Sequence, residues 1–196
     1  GWHVIRELLS TKNGKRILID TKHMSAASRN EYYAFINNYN YVNPDNKIPV
    51  VSSHACANGF KTIDSSIAKA DLIVKARKGR LYKWSINISD EEAKIIHDSE
   101  GLIGLMMDKG NMGGIDVVNE ISKEKDLQKQ RKLYAQLFWD NAFQLVKAVG
   151  KKSGWDMIAI GTDYDGSITH MEPYPTAADL PQFQQDLLTL KKKKKY

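Results

Sequence analysis

Four short runs with apolar centres decide what this chain can fold into. They occupy residues 16–20, 48–53, 102–107 and 157–161, with helix-patterned stretches between them. A strand with one wet face alternates apolar and polar residues, whereas a continuous apolar run has both faces covered. Such runs alternating with helices predict a parallel sheet flanked by helices, an α/β fold. The helices carry their own signals. Residues 4–9 open the chain as a helix that stops near Asn13 and Gly14. Ser25 is placed to cap a helix running to Tyr39. Ser89, with Glu92 three residues on, forms a capping box for a helix that ends near Ser99. Leu127, Leu133, Leu137, Phe138 and Leu145 recur at helical spacing within 126–149, and a last helix covers 179–190. The Gly-rich stretch 109–114 reads as a loop, and 55–85 has no clear pattern. Four β-α units in order fit a small doubly wound sheet or half of a (β/α)₈ barrel.

At 196 residues and 42% hydrophobic content the chain suits one domain with a real core. Residues 1–190 read as that domain and 191–196 as a basic tail, a disordered end or a helix cut short. The net charge of +6 is a tail property. Setting aside the five lysines of 191–195 leaves 24 basic against 23 acidic residues. A nucleic-acid surface needs basic residues spread over a folded face, so no nucleic-acid partner is expected. Cys56 has no partner for a disulfide. No apolar run reaches the roughly 20 residues that span a bilayer. The first residues do not read as a signal peptide. The start without Met and the lysine run at the end suggest a piece of a longer protein.

Three of the apolar runs end alike. The first leads into Asp20-Thr21-Lys22-His23, the second into Ser53-His54-Ala55-Cys56, the fourth into Gly161-Thr162-Asp163-Tyr164-Asp165-Gly166. Metal-capable side chains therefore follow the carboxyl ends of strands, the rim where parallel α/β sheets place their sites. Imidazole and carboxylate suit zinc, and a catalytic zinc needs ligands from several strands with one position open for water. His23, His54 and Asp163 are the candidate ligands, with Asp163 also placed to act as a base. Taken singly, each residue is ordinary strand-end chemistry. His97 lies on an amphipathic helix and reads as a surface residue. Lys22 reads as a strand-end lysine, and Cys56 as a packed thiol with no base beside it.

The ordered set Leu18-Ile-Asp-Thr-Lys-His23-Met-Ser25, Pro49-Val-Val-Ser-Ser-His54-Ala-Cys-Ala57 and Ile160-Gly-Thr-Asp163-Tyr-Asp-Gly166 resembles the membrane (renal) dipeptidase family of the amidohydrolase superfamily. The resemblance runs from the first helix to about Leu190. It implies a (β/α)₈ barrel with a two-zinc site, of which this chain covers about strands five to eight. It implies that His23 and His54 bind one metal. It implies that Asp163 approaches the metals and handles a proton of the bridging water. Asp20 and Asp165 are candidates for supporting the ligands from behind. The implied reaction is hydrolysis of a dipeptide or similar small amide.

The departures are equally specific. The family's first-strand His-x-Asp pair and its bridging Glu have no counterpart here, so one zinc or none is expected for this chain alone. The family's substrate-carboxylate Arg aligns with Ile86; Arg77 and Arg80 lie near, and Arg77 is a weak candidate for that role. His170 and Tyr174, in the loop after Asp163, are weak candidates for substrate contact. The alternatives are a metal hydrolase of another amidohydrolase branch, a lactonase or esterase, or a non-catalytic truncated barrel. The exposed sheet edges of four strands would call for a missing N-terminal half or a second copy.

Overall fold

The computed structural model describes residues 1–68 and 79–193. Arg77, one of the weak substrate candidates, lies outside the described residues.

Three strands form a parallel sheet in the order β1 (Val51–Ala55), β2 (Leu102–Leu105), β3 (Ile158–Ile160). Eight α-helices accompany it among the described residues. Two precede the sheet, α1 (Trp2–Leu9) and α2 (Ala26–Val42). Then α3 (Ile63–Ala68) and α4 (Asp90–Asp98) connect β1 to β2. Next α5 (Lys109–Met112), α6 (Ile115–Lys123) and α7 (Leu127–Val149) connect β2 to β3, and α8 (Leu180–Lys193) closes the described chain. The α/β class expected from the apolar runs is present. No described helix is long and apolar enough to cross a membrane.

The helix signals act as their chemistry requires. Ser25 Oγ accepts from Ser28 N at 3.1 Å and starts α2. The Ser89–Glu92 capping box forms at α4. Asp126 caps α7 through the amides of Gln128 and Lys129. Glu92 has a second task. Its Oε1 accepts from Arg29 Nε at 2.6 Å, and both side chains are buried. Arg29 also donates to the carbonyls of Met24 and Ser85, so one guanidinium ties α2 to the segment leading into α4. Burial works against that charge, but Glu92 outweighs it and holds the guanidinium above its ordinary pKa. On the other side α7 packs against α4 and α8 through Tyr134, Leu137, Phe138 and Leu145, all buried.

Two expectations are corrected. The first apolar run makes no strand. It contributes a single parallel bridge, Asp20 to Val51, with Thr21 N donating to Val51 O at 2.9 Å. The reason is burial: Ile17 is 62% and Leu18 41% exposed, so the run has neither a second covered face nor a ladder partner of its own. The Gly-rich loop over 109–114 is partly helical. Asp108 caps α5 by accepting from Gly110 N, and α6 follows with Val118 and Ile121 buried.

The sheet is irregular at one place. Val51 pairs with Leu102 and Ser52 with Ile103, but Ala55 pairs with Leu105, so β1 holds one residue more than β2 across the same interval. The extra length falls at Ser53 and His54. A regular strand would turn one of them inward, yet here Ser52 and Ala55 are buried and neither residue between them is. The Ser53 carbonyl lies against Gly104 of β2 and Gly161 after β3. A Cβ on either glycine would collide with it.

Candidate metal centre

The register shift puts His54 and Ser53 side by side at the carboxyl end of β1, facing the segment that carries Asp20 and His23. Asp20 accepts from three donors. Its Oδ1 takes Lys22 N at 3.1 Å and Ser53 N at 3.0 Å, and its Oδ2 takes the Ser53 hydroxyl. Burial raises the Asp20 pKa, but the Ser53 side chain, the two amides and His54 outweigh it, and the carboxyl sits below its ordinary value. It is therefore a carboxylate at neutral pH and can only accept.

That fact assigns the rest of the chain of contacts. A hydroxyl has one proton, and Ser53 gives its proton to Asp20. Toward His54 Nδ1, at 2.7 Å, Ser53 Oγ must accept. His54 is then the Nδ1–H tautomer, and its Nε2 carries a lone pair. The His23 Nε2 atom stands 3.2 Å from that lone pair, with ring centroids 5.0 Å apart. The Asp163 Oδ2 atom stands 3.8 Å away. Burial lowers the His54 pKa; Lys22 and His23 add to the effect, against the opposite pull of Asp163 and Asp20. A neutral imidazole with its lone pair outward is the state in which histidine ligates a metal.

Two ligands of a tetrahedral zinc, each at ~2.0–2.1 Å, lie about 3.3 Å apart. The His23–His54 separation meets that spacing, and the Asp163 separation exceeds it. The three side chains thus do not form a closed cage. Among the described residues, no group of three or more His, Cys, Asp or Glu is arranged to hold a metal ion. The donor chemistry fits zinc, with His23 exposed and able to re-orient and Asp163 at the start of an open turn.

Asp163 and Asp165 both have left-handed backbones, φ 56° and 65°. That conformation costs roughly 1–2 kcal/mol for most side chains and is best tolerated by Asn and Asp. Gly166 N donates to Asp163 O at 3.1 Å and closes the turn. The Asp-Gly pattern at the strand exit is turn chemistry, as its sequence suggests. That turn also brings one carboxylate to the imidazole pair.

The other candidates fall in different places. Asp165 is exposed on the turn. His170 is exposed, and its backbone forms an antiparallel bridge with Asp108. Tyr174 is fully buried; its hydroxyl donates to Asp186 Oδ2 at 2.6 Å, and its ring packs on Phe183. It anchors α8 beneath the loop rather than presenting its hydroxyl to solvent. Arg80 is paired with Asp140. His97 lies at the opposite end of the sheet, bridging Asp98 at 2.9 Å and Ser153 at 3.0 Å. Cys56 is fully buried, and burial pushes its thiol up to about 12. Lys22 is buried too, its Nζ has no hydrogen-bond partner, and burial lowers its pKa.

Two site features lie outside the sequence reading. Ser53 is the relay between Asp20 and His54, a role visible only once residues 33 apart are brought together. Asp108 follows the third apolar run just as Asp20 and Asp163 follow theirs, and that signal was available in the chain. No family model matches the chain, and no curated protein matches it.

Proposed function

We propose that this chain is the metal-binding part of a zinc-dependent hydrolase of the dipeptidase type, its three-stranded sheet belonging to a (β/α)₈ barrel. The observation that carries the reading is the oriented pair of imidazole Nε2 atoms at 3.2 Å, backed by Asp20 through Ser53 and faced by Asp163 at 3.8 Å. His23 and His54 would hold one zinc, and Asp163 would complete the set by a short inward movement of its turn. Zinc bound there would act as a Lewis acid and make a water nucleophilic near neutral pH. The protein's own contribution is threefold. Ser53 and Asp20 fix the His54 tautomer. Burial lowers the His54 pKa and favours its neutral form, and His23 lies on the exposed side of the site. Asp163 Oδ2 accepts a proton from the attacking water and can return it to the leaving amine.

The test is zinc titration of the purified chain, followed by hydrolysis of a panel of unblocked dipeptides beside lactone and ester substrates. The reading expects about one zinc per chain, lost in His54→Ala and in His23→Ala. A wild-type chain that takes up no zinc overturns it. Zinc uptake with turnover of lactones and none of dipeptides would transfer the chain to the lactonase branch.

A further inference from the structure

A second cavity, of about 430 Å³, opens on the same rim. It lies between the turn after β2 and the loop that follows Asp163, and its lining includes Tyr82, Trp84, Asp108, Asn111 and Thr169. Asp108 is buried. Its Oδ1 accepts from Gly110 N at 2.8 Å and from Thr169 N at 3.3 Å, and its Oδ2 accepts from Asn111 Nδ2.

These contacts set the Asn111 amide. A carboxylate only accepts, so the atom facing it is the NH₂ group, and Oδ1 points elsewhere. That Oδ1 is buried and has no hydrogen-bond partner, on a side chain whose residue is 9% exposed. The Tyr82 and Trp84 rings line the same cavity with centroids 5.7 Å apart, tilted by 44°. Aromatic faces attract cations. The nearby cations leave the carboxylate without a hydrogen-bonded ammonium: Lys22 acts on Asp108 only through space. Lys109 is paired with Glu172, and Lys22 Nζ makes no hydrogen bond.

A carboxylate and two aromatic rings lining one cavity share one chemical demand. We infer that this cavity takes a small organic cation, an ammonium or guanidinium group on an aliphatic stem, such as the basic side chain of a bound dipeptide. The dipeptide identity rests on the proposed hydrolase function; the preference for a cation rests on the cavity alone.

The probes are N-acetyl-lysine amide and N-acetyl-norleucine amide, which differ chiefly in the terminal ammonium. Each is titrated by calorimetry into the chain kept metal-free with a chelator. The lysine compound should bind at least about tenfold more tightly, in line with a desolvated charge contact. Asp108→Asn should remove that difference. Because Asp108 also caps α5, Trp84→Leu provides an independent arm: it should weaken the lysine compound by roughly fivefold and leave the norleucine compound almost unchanged. Equal binding of the two compounds by wild type overturns the inference, as does a preference that survives both substitutions. Neither metal nor turnover enters the measurement. Zinc uptake without cation preference would refute this inference alone, and cation preference without zinc uptake would refute the hydrolase reading alone.

Discussion

One proton, on the Ser53 hydroxyl, sets the state of the candidate site. It is donated to Asp20, so Ser53 can only accept from His54, and the His54 lone pair must face His23. Outer partners of this kind hold metal ligands in one tautomer, and losing them weakens metal binding by roughly 10–100-fold. Asp20→Asn and Ser53→Ala should each do so while leaving both imidazoles in place, measured by zinc competition against a chromophoric chelator. The Arg29–Glu92 pair is a contrasting case, since it supports the fold and not the site. Arg29→Met would leave a buried carboxylate without its cation, and such losses cost about 3–5 kcal/mol. Urea unfolding should show a midpoint far below that of wild type. The sequence displayed Glu92 as half of a capping box. Its bond to Arg29, 63 residues away, had no local signature.

Elements were legible to different degrees, for physical reasons. Caps are local chemistry, and Ser25 and Ser89 each capped the helix their residue type suggests. An apolar run is only half of a strand, because a ladder also needs a neighbour; residues 16–20 found one at Asp20 alone. The candidate residues His23, His54 and Asp163 could be singled out because they follow apolar runs, whereas the Ser53 relay depends on a register shift that no pattern of residue types announces. That shift needs Gly104 and Gly161 to clear the Ser53 carbonyl. Gly104→Ala should therefore destabilise by several kcal/mol, an overpacking strain against backbone and not against a flexible side chain. Thermal melts of Gly104→Ala beside the exposed control Gly1→Ala, where nothing lies within 4 Å of an added Cβ, would separate collision from a general loss of glycine. The loop after β3 is held by Glu172, which accepts from Lys109, Tyr134 and Ser122. Burial raises the Glu172 pKa, but those bonds outweigh it and bring it from 4.5 to about 2. A carboxyl lowered on folding contributes its stability in full above the unfolded value and loses it as pH falls through the folded one. Stability should thus decline between pH 4.5 and about 2, and Glu172→Gln should flatten that part of the curve in urea titrations.

At the scale of the whole molecule, among the described residues the sheet ends where β3 has no further strand beside it and where β1 has only the Asp20 bridge. Ile160 on β3 is 49% exposed. Open edges with apolar side chains favour pairing with another chain. Sedimentation equilibrium should show association that rises with concentration and falls in Ile160→Lys. A monomer of unchanged mass at every concentration would show that this edge is protected as it stands.

The added residue in β1 also changes the arithmetic of the strand. Side chains alternate sides along extended backbone, so inserting one unit reverses the parity of all that follows until the strand ends. Removing a single residue at this point would restore strict alternation. It would turn either the hydroxyl or the imidazole toward the interior, and two groups that now work as neighbours would be divided between opposite faces of the sheet.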